Sequence, residues 1–296
     1  DVMKRSDVEF TSGGVTCRAW LYEPDAGARP PIIVMAHGLG GVRHMRLGAF
    51  AERFADAGYA CLVFDYRHFG DSDGEPRGLL SVRRQRADWS AAIAFARSLP
   101  QVDGSRVVLW GTSFGGGHVL AVGAGQHVAA VISQCPFTSG LASLRVMEPL
   151  VVARVTALAV ADVISAVARR GPVRVALAGD PGTTALMTAP DVTEGYLALV
   201  PDGHDFTNAV AARIGLVIPL LSPARALRKA HAPTLVCVCD RDSVAPAGPT
   251  IKAAESNPKV TLKRYDEGHF DIYVGDAFEA VIADQVDFLD QVVPLD

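Results

Sequence analysis

Charge is scarce in this sequence, and what there is nearly cancels. Lys and Arg number 28 and Asp and Glu 32, for a formal charge of −4, and no long basic run stands out. That balance argues against nucleic acid as a partner. A chain too polar to fold is equally excluded, because 49% of its residues are hydrophobic and supply a sizeable core. The raw material for disulfide or metal chemistry is also thin. The five cysteines, Cys17, Cys61, Cys135, Cys237 and Cys239, are odd in number, lie mostly inside apolar runs and lack ligand spacing. Buried reduced thiols are the expectation. Cys237-Val-Cys239 puts two thiols on one strand face without further ligands beside them, so no metal is expected there. No long apolar stretch is free of charge: Pro149 to Ala168 comes nearest, and Arg154 and Asp162 interrupt it. A charged-then-apolar secretory signal is missing, while the start at Asp1 rather than methionine leaves room for an upstream segment. The expectation is a cytoplasmic protein that binds neither nucleic acid nor membrane.

What the sequence does have is rhythm. Val15 to Tyr22 alternates after Thr11-Ser-Gly-Gly14, as the second arm of an antiparallel hairpin would. Ile32 to Ala36, Ala60 to Phe64, Val107 to Trp110 and Val128 to Ser133 are short apolar runs suited to buried strands. Between them, Phe50, Phe54 and Ala57, and then Trp89, Ile93, Ala96 and Leu99, recur near the helical period. This alternation predicts a mostly parallel central sheet with helices on both faces, and chemistry in the loops at the carboxyl ends of strands. The rhythm breaks between Thr138 and Ala230. There Leu141 to Arg170 reads as one long helix, apolar nearly all round, Pro172 to Gly182 as loop or short strand, and Met187 to Asp202 as turn-rich. Residues 138–230 are therefore read as a largely helical cap inserted into a core made of 1–137 and 231–296, with a second sheet-containing domain as the alternative. The core resumes at Thr234 to Cys239 and continues through a helix at Pro249 to Ser256 and a strand at Val260 to Tyr265. A C-terminal helix then carries a stripe from Phe278 to Val293.

One stretch carries chemistry. Gly111-Thr112-Ser113-Phe114-Gly115 fits G-x-S-x-G and lies between an apolar strand and a small-residue helix running to about Ala124. A sharp strand-to-helix turn at that point exposes a serine Oγ, and the flanking glycines remove the Cβ clashes such a turn would create. A serine hydroxyl is a poor nucleophile until a base, oriented by a third group, activates it. Of eight histidines, only His269 follows a late core strand within a glycine-flanked loop. His118 falls in the helix behind Ser113, where packing is expected, and His37 ends a strand and more naturally shapes its loop. His204-Asp205 reads as a solvated cap loop. For the acid, the loop from Cys135 to Ser139 offers no carboxylate, whereas Cys239 to Pro246 offers Asp240 and Asp242. Asp242 is favoured because it lies in the loop rather than at the strand's last step. Oxyanion donors must be preorganised N–H groups near the serine. The backbone of Phe114 supplies one, and that of Leu39, in the turn after His37, is expected to supply the other.

With these residues in hand, the chain resembles the α/β-hydrolase superfamily along nearly its whole length. The segments that carry the likeness are HGLGG (37–41), FDYRHFGDSDG (64–74), GTSFGG (111–116), DRDSVAP (240–246) and EGHFDIY (267–273). The order Ser113, Asp242, His269 is similar to that of the superfamily. In detail the chain is similar to bacterial cap-bearing serine hydrolases related to dienelactone hydrolases and X-prolyl peptidases, some relatives of which look like polyketide acyl transferases. The resemblance implies an α/β-hydrolase fold, an acyl-serine intermediate and no cofactor. The substrate expected is a small acyl compound, an ester or thioester, with a hydrophobic moiety to suit the apolar cap. Acyl transfer to an alcohol or amine is the alternative, an amidase, peptidase or non-catalytic binding protein a weaker one. The apolar cap surface is equally suited to a homodimer interface.

Overall fold

The computed structural model describes residues 3–25 and 29–295. Asp1 lies outside the described residues. The chain opens with a hairpin, β1 (Lys4–Ser12) and β2 (Val15–Glu23), followed by β3 (Pro31–Ala36), α1 (Leu47–Asp56), β4 (Ala60–Phe64) and α2 (Val82–Ser98). Next come β5 (Asp103–Thr112), α3 (Phe114–Gly125) and β6 (Ala130–Gln134). One long helix among short elements intervenes: α4 (Gly140–Arg145), α5 (Pro149–Val167), β7 (Arg174–Ala178), β8 (Ala185–Met187), α6 (Val192–Leu197), β9 (Ala209–Ala211), α7 (Ile214–Val217) and α8 (Ala224–Arg228). The chain ends with β10 (Thr234–Cys239), α9 (Ala247–Glu255), β11 (Val260–Tyr265) and α10 (Gly275–Val292).

The strands order as β1-β2-β4-β3-β5-β6-β10-β11. From β4 to β11 every pairing is parallel, and the hairpin joins antiparallel through β2 and β4. Strands β3, β4, β6 and β10 are buried at every residue, which is why they are mostly apolar without alternation, β6 alone ending in the polar pair Ser133-Gln134. Helices α1 and α10 contact each other on one side of the sheet, while α2, α3, α8 and α9 are linked by contacts on the other. From β3 the chain steps outward to β4, then returns to place β5 on the opposite side of β3. The loops after β3 and β5 thus diverge at the same edge, and that crevice is where an open α/β sheet accepts ligands.

The segment between β6 and β10 differs from the expectation in two ways. Leu141 to Arg170 is two helices rather than one. Pro149 stands at the first turn of α5 and Glu148 before it is extended (φ −64°, ψ 132°). Proline disfavours a helical residue ahead of it, and its ring cannot continue a preceding helix. Strands β8, β7 and β9 form a second, three-stranded sheet among the helices, so this region is not helical alone. Asp162 ties the two parts together. Its buried carboxylate, on the inner face of α5, accepts from the backbone N–H groups of Val173 and Arg213 (both 2.9 Å) and from Arg213 Nε at 2.7 Å. Helix α8 precedes residue 231 yet packs on α3 and α9, and so belongs with the core by contact.

Candidate active site

β5 delivers Thr112 to the sheet edge, and the chain reverses at once into α3. Ser113 takes up the whole turn, at φ 57° and ψ −117°, a conformation that an L residue adopts only when its surroundings impose it. Those surroundings are backbone. A Cβ on Gly115 would lie 2.3 Å from the His37 carbonyl oxygen, and one on Gly38 would lie 3.0 Å from Ser113 Cβ and 3.3 Å from Phe114 N. Gly115 has no room for a side chain and Gly38 is tightly approached, so the turn after β3 presses directly against the serine turn.

Two loops complete the cluster. His269, after β11, places Nε2 2.9 Å from Ser113 Oγ and Nδ1 2.6 Å from Asp242 Oδ2. Both side chains of the His269–Asp242 pair are at most 2% exposed. The other oxygen of Asp242, Oδ1, accepts from the N–H groups of Val244 (2.9 Å) and Ala245 (2.7 Å), which fix the carboxylate in the loop after β10. Asp240 points elsewhere and pairs with Arg264 at 2.9 Å. Of the two candidate acids, Asp242 is the one brought to the histidine.

Four of the other histidines, His37, His44, His118 and His204, are held by packing, and His127 and His231 are exposed. His37 Nδ1 accepts from Gly38 N at 2.7 Å and its Nε2 lies 3.1 Å from the Met45 carbonyl, so Nε2 carries the proton. Burial pushes its pKa down to about 4. His118 meets Gln85 Oε1 at 2.8 Å, and burial pushes it down to about 3. His204 stacks on His44, with ring centres 4.2 Å apart. Because the Gly38 N–H is held by the His37 ring, Leu39 provides the next N–H along the turn. Leu39 and Phe114 both border the cavity in which Ser113 opens. One contact had no signal in the sequence: Tyr196 of α6 donates its hydroxyl to the Leu39 carbonyl at 2.8 Å. Helix α6 also crowds the histidine loop, where a Cβ on Gly195 would lie 2.6 Å from the Phe270 ring.

The cavity measures about 570 Å³ and runs beneath α5, between α4 and the small sheet. Its walls include Leu144, Val152, Val155, Leu186, Met187 and Ile218, and Glu148 is the single charged residue among its lining. Metal-type ligands gather at one place among the described residues, His44 with Asp65 and Asp71. There Arg43 already pairs with both carboxylates, through Nη1 to Asp65 and through Nη2 to Asp71 at 2.8 Å.

A family model described as serine aminopeptidase, S33, matches residues 28–275 of the chain. The chain belongs to the S33 family. Its fold is accordingly the α/β-hydrolase fold. Among similar proteins, the quorum-quenching protein AidA of Acinetobacter baumannii is 55% identical over 290 residues, covering 98% of this chain and 95% of that protein. A thiohydrolase, aneE, of Aspergillus aculeatus is 28% identical over 305 residues, covering 97% and 93% respectively. The crystal structure of the α/β hydrolase GrgF from Penicillium sp. sh18 superimposes with a TM-score of 0.82 at 25% identity, covering 99% of this chain and 100% of that one. A Penicillium protein of the same name is called a polyketide transferase.

Proposed function

We propose that the protein is a serine hydrolase that cleaves an ester or thioester bearing an apolar acyl group. The observation that carries this reading is Ser113 Oγ, 2.9 Å from His269 Nε2 and opening into an apolar cavity of about 570 Å³. Nδ1–H of His269 donates to Asp242, so the lone pair of Nε2 faces the serine hydroxyl. His269 takes the Ser113 proton as Oγ forms its bond to the acyl carbon, and the carbonyl oxygen becomes an oxyanion held by the N–H groups of Leu39 and Phe114. Asp242 stabilises the imidazolium. When the tetrahedral adduct collapses, the bond to the alkoxide or thiolate breaks and His269 returns its proton to that leaving group. Water, deprotonated by the same imidazole, then releases the acid and frees Ser113. Every step is proton transfer or acyl transfer, carried by the side chains of Ser113, His269 and Asp242, by backbone N–H groups and by water.

The lining favours this substrate class over a peptide. An aminopeptidase must receive a substrate ammonium, which calls for a shielded anion. The one carboxylate on these walls, Glu148, is exposed. The Acinetobacter relative is named for quorum quenching, so signalling molecules are among the substrates to test. Acyl transfer is the second reading, favoured by the polyketide transferase name attached to GrgF and by walls apolar enough to exclude water. Product analysis with an alcohol or amine competing against water separates the two.

The test is turnover of p-nitrophenyl esters and acyl lactones of increasing chain length by wild type and Ser113→Ala. Turnover by wild type alone, peaking at a medium or long acyl chain, is the expected result. Equal rates in the two proteins would overturn the assignment of Ser113.

A further inference from the structure

Helix α5 walls the cavity with one face, through Val152 and Val155, and leaves the other uncovered. By length and composition it could cross a membrane, with 19 residues and a mean hydropathy of 2.0. Yet Asp162, tied to Arg213 and to the backbone of Val173, fastens its inner face to the small sheet. What needs a partner is the outer face alone. Leu150, Ala153, Ala157, Val160, Ile164 and Val167 are all exposed and recur at intervals of three and four, the seam of a two-helix coiled coil. The largest of them are far from covered, with Leu150 60%, Ile164 63% and Val167 80% accessible. Arg154, the one exposed charge within the helix, turns aside to the Gly182 carbonyl at 3.2 Å.

We infer that this face is the contact surface between two copies of the chain, paired antiparallel through α5. Antiparallel alignment on a two-fold axis between Ala157 and Val160 sets Leu150 against Val167 of the second copy, Ala153 against Ile164 and Ala157 against Val160. Each small residue meets a branched one, as interdigitating side chains require. The same alignment sets Glu148, just before the helix, against Arg169, just after it, and does so twice by symmetry. Neither residue has an ion-pair partner within the chain among the described residues, and antiparallel helices also oppose their dipoles favourably. This charge complementarity chooses a second copy over a lipid surface, which would need basic residues spread along the helix flanks. Exposed Leu216, Val217 and Leu220, from α7 and the turn after it, extend the apolar surface beside α5.

The test is sedimentation velocity on the full chain from about 1 to about 100 μM, alongside thermal unfolding. Twice the chain mass is expected for wild type. Val160→Glu, which brings two carboxylates together at the axis, is expected to sediment as a single chain that still unfolds cooperatively, its melting temperature lower than wild type only by the stabilisation that dimerisation adds. Glu148→Arg and Arg169→Glu are each expected to weaken the dimer on the order of tenfold, and the double variant to recover it. A single-chain mass for wild type throughout overturns the inference, as does a dimer indifferent to Val160→Glu. Flotation of undimerised protein with phosphatidylcholine–phosphatidylglycerol vesicles would likewise overturn it and assign the face to lipid.

Discussion

Asp240 and Asp242 are two residues apart in one loop, and their surroundings give them opposite duties. Asp242 is buried against His269 and held by two backbone N–H groups, whereas Asp240 lies at the surface beside Arg264. Asp242→Asn would leave the geometry nearly intact but offer Nδ1 a donor where it needs an acceptor. A loss of kcat on the order of 10⁴-fold is expected, by the precedent of serine triads. Asp240→Asn loses a solvent-exposed ion pair, worth at most about 1 kcal/mol of stability, and no catalysis. Ester kinetics on both variants check the assignment, and the reverse ranking would move the acid to Asp240. At this scale the sequence was informative because strand-end loops, elbow glycines and side-chain chemistry are local properties.

Elements decide how firmly the turn after β3 is held. Tyr66 donates to the His37 carbonyl at 2.9 Å from the core side, and Tyr196 of α6 donates to the Leu39 carbonyl from the other. Leu39 is thereby fixed by groups on both the central sheet and the inserted region. Tyr196→Phe keeps the ring and removes one hydrogen bond, equivalent to about 1 kcal/mol. If the Leu39 N–H serves the oxyanion, kcat for ester hydrolysis should fall about threefold to tenfold with KM nearly unchanged, because that bond matters most in the transition state. A change confined to KM would make Tyr196 a wall of the pocket only. No helical period marks α6, whose six residues are too few for one to emerge, and Tyr196 meets Leu39 across 157 positions of chain. The boundary between α4 and α5 is equally faint in the sequence, since it rests on the single Pro149.

For the molecule as a whole, buried histidines link stability to acidity. His118 is enclosed between α3 and α2, and burial lowers its pKa from 6.5 to about 3. Below about pH 6.5 the unfolded chain takes up this proton and the folded chain does not, so stability is lost steadily as pH falls toward 3. His118→Gln removes that difference. The melting temperature of wild type is expected to fall more steeply between pH 6.5 and 4 than that of the variant, while Asp65 and Asp88, whose buried carboxyls are raised, contribute alike to both. Parallel slopes in scanning calorimetry would show that His118 titrates normally.

The sequence by itself determined the central sheet, the serine turn and the histidine and carboxylates of the two loops that the fold brings to it. Strands buried on both faces must be continuously apolar, and a turn as tight as that at Ser113 must be flanked by glycine, so both leave marks within a few residues. Tertiary structure alone decided which aspartate meets His269, that Tyr196 reaches the Leu39 turn, and that the region from 138 to 230 carries a sheet of its own. It also decided which side of α5 is left uncovered. These outcomes depend on distances between residues remote along the chain, set by how whole elements pack, and an apolar pattern records that a residue is to be buried without recording against what.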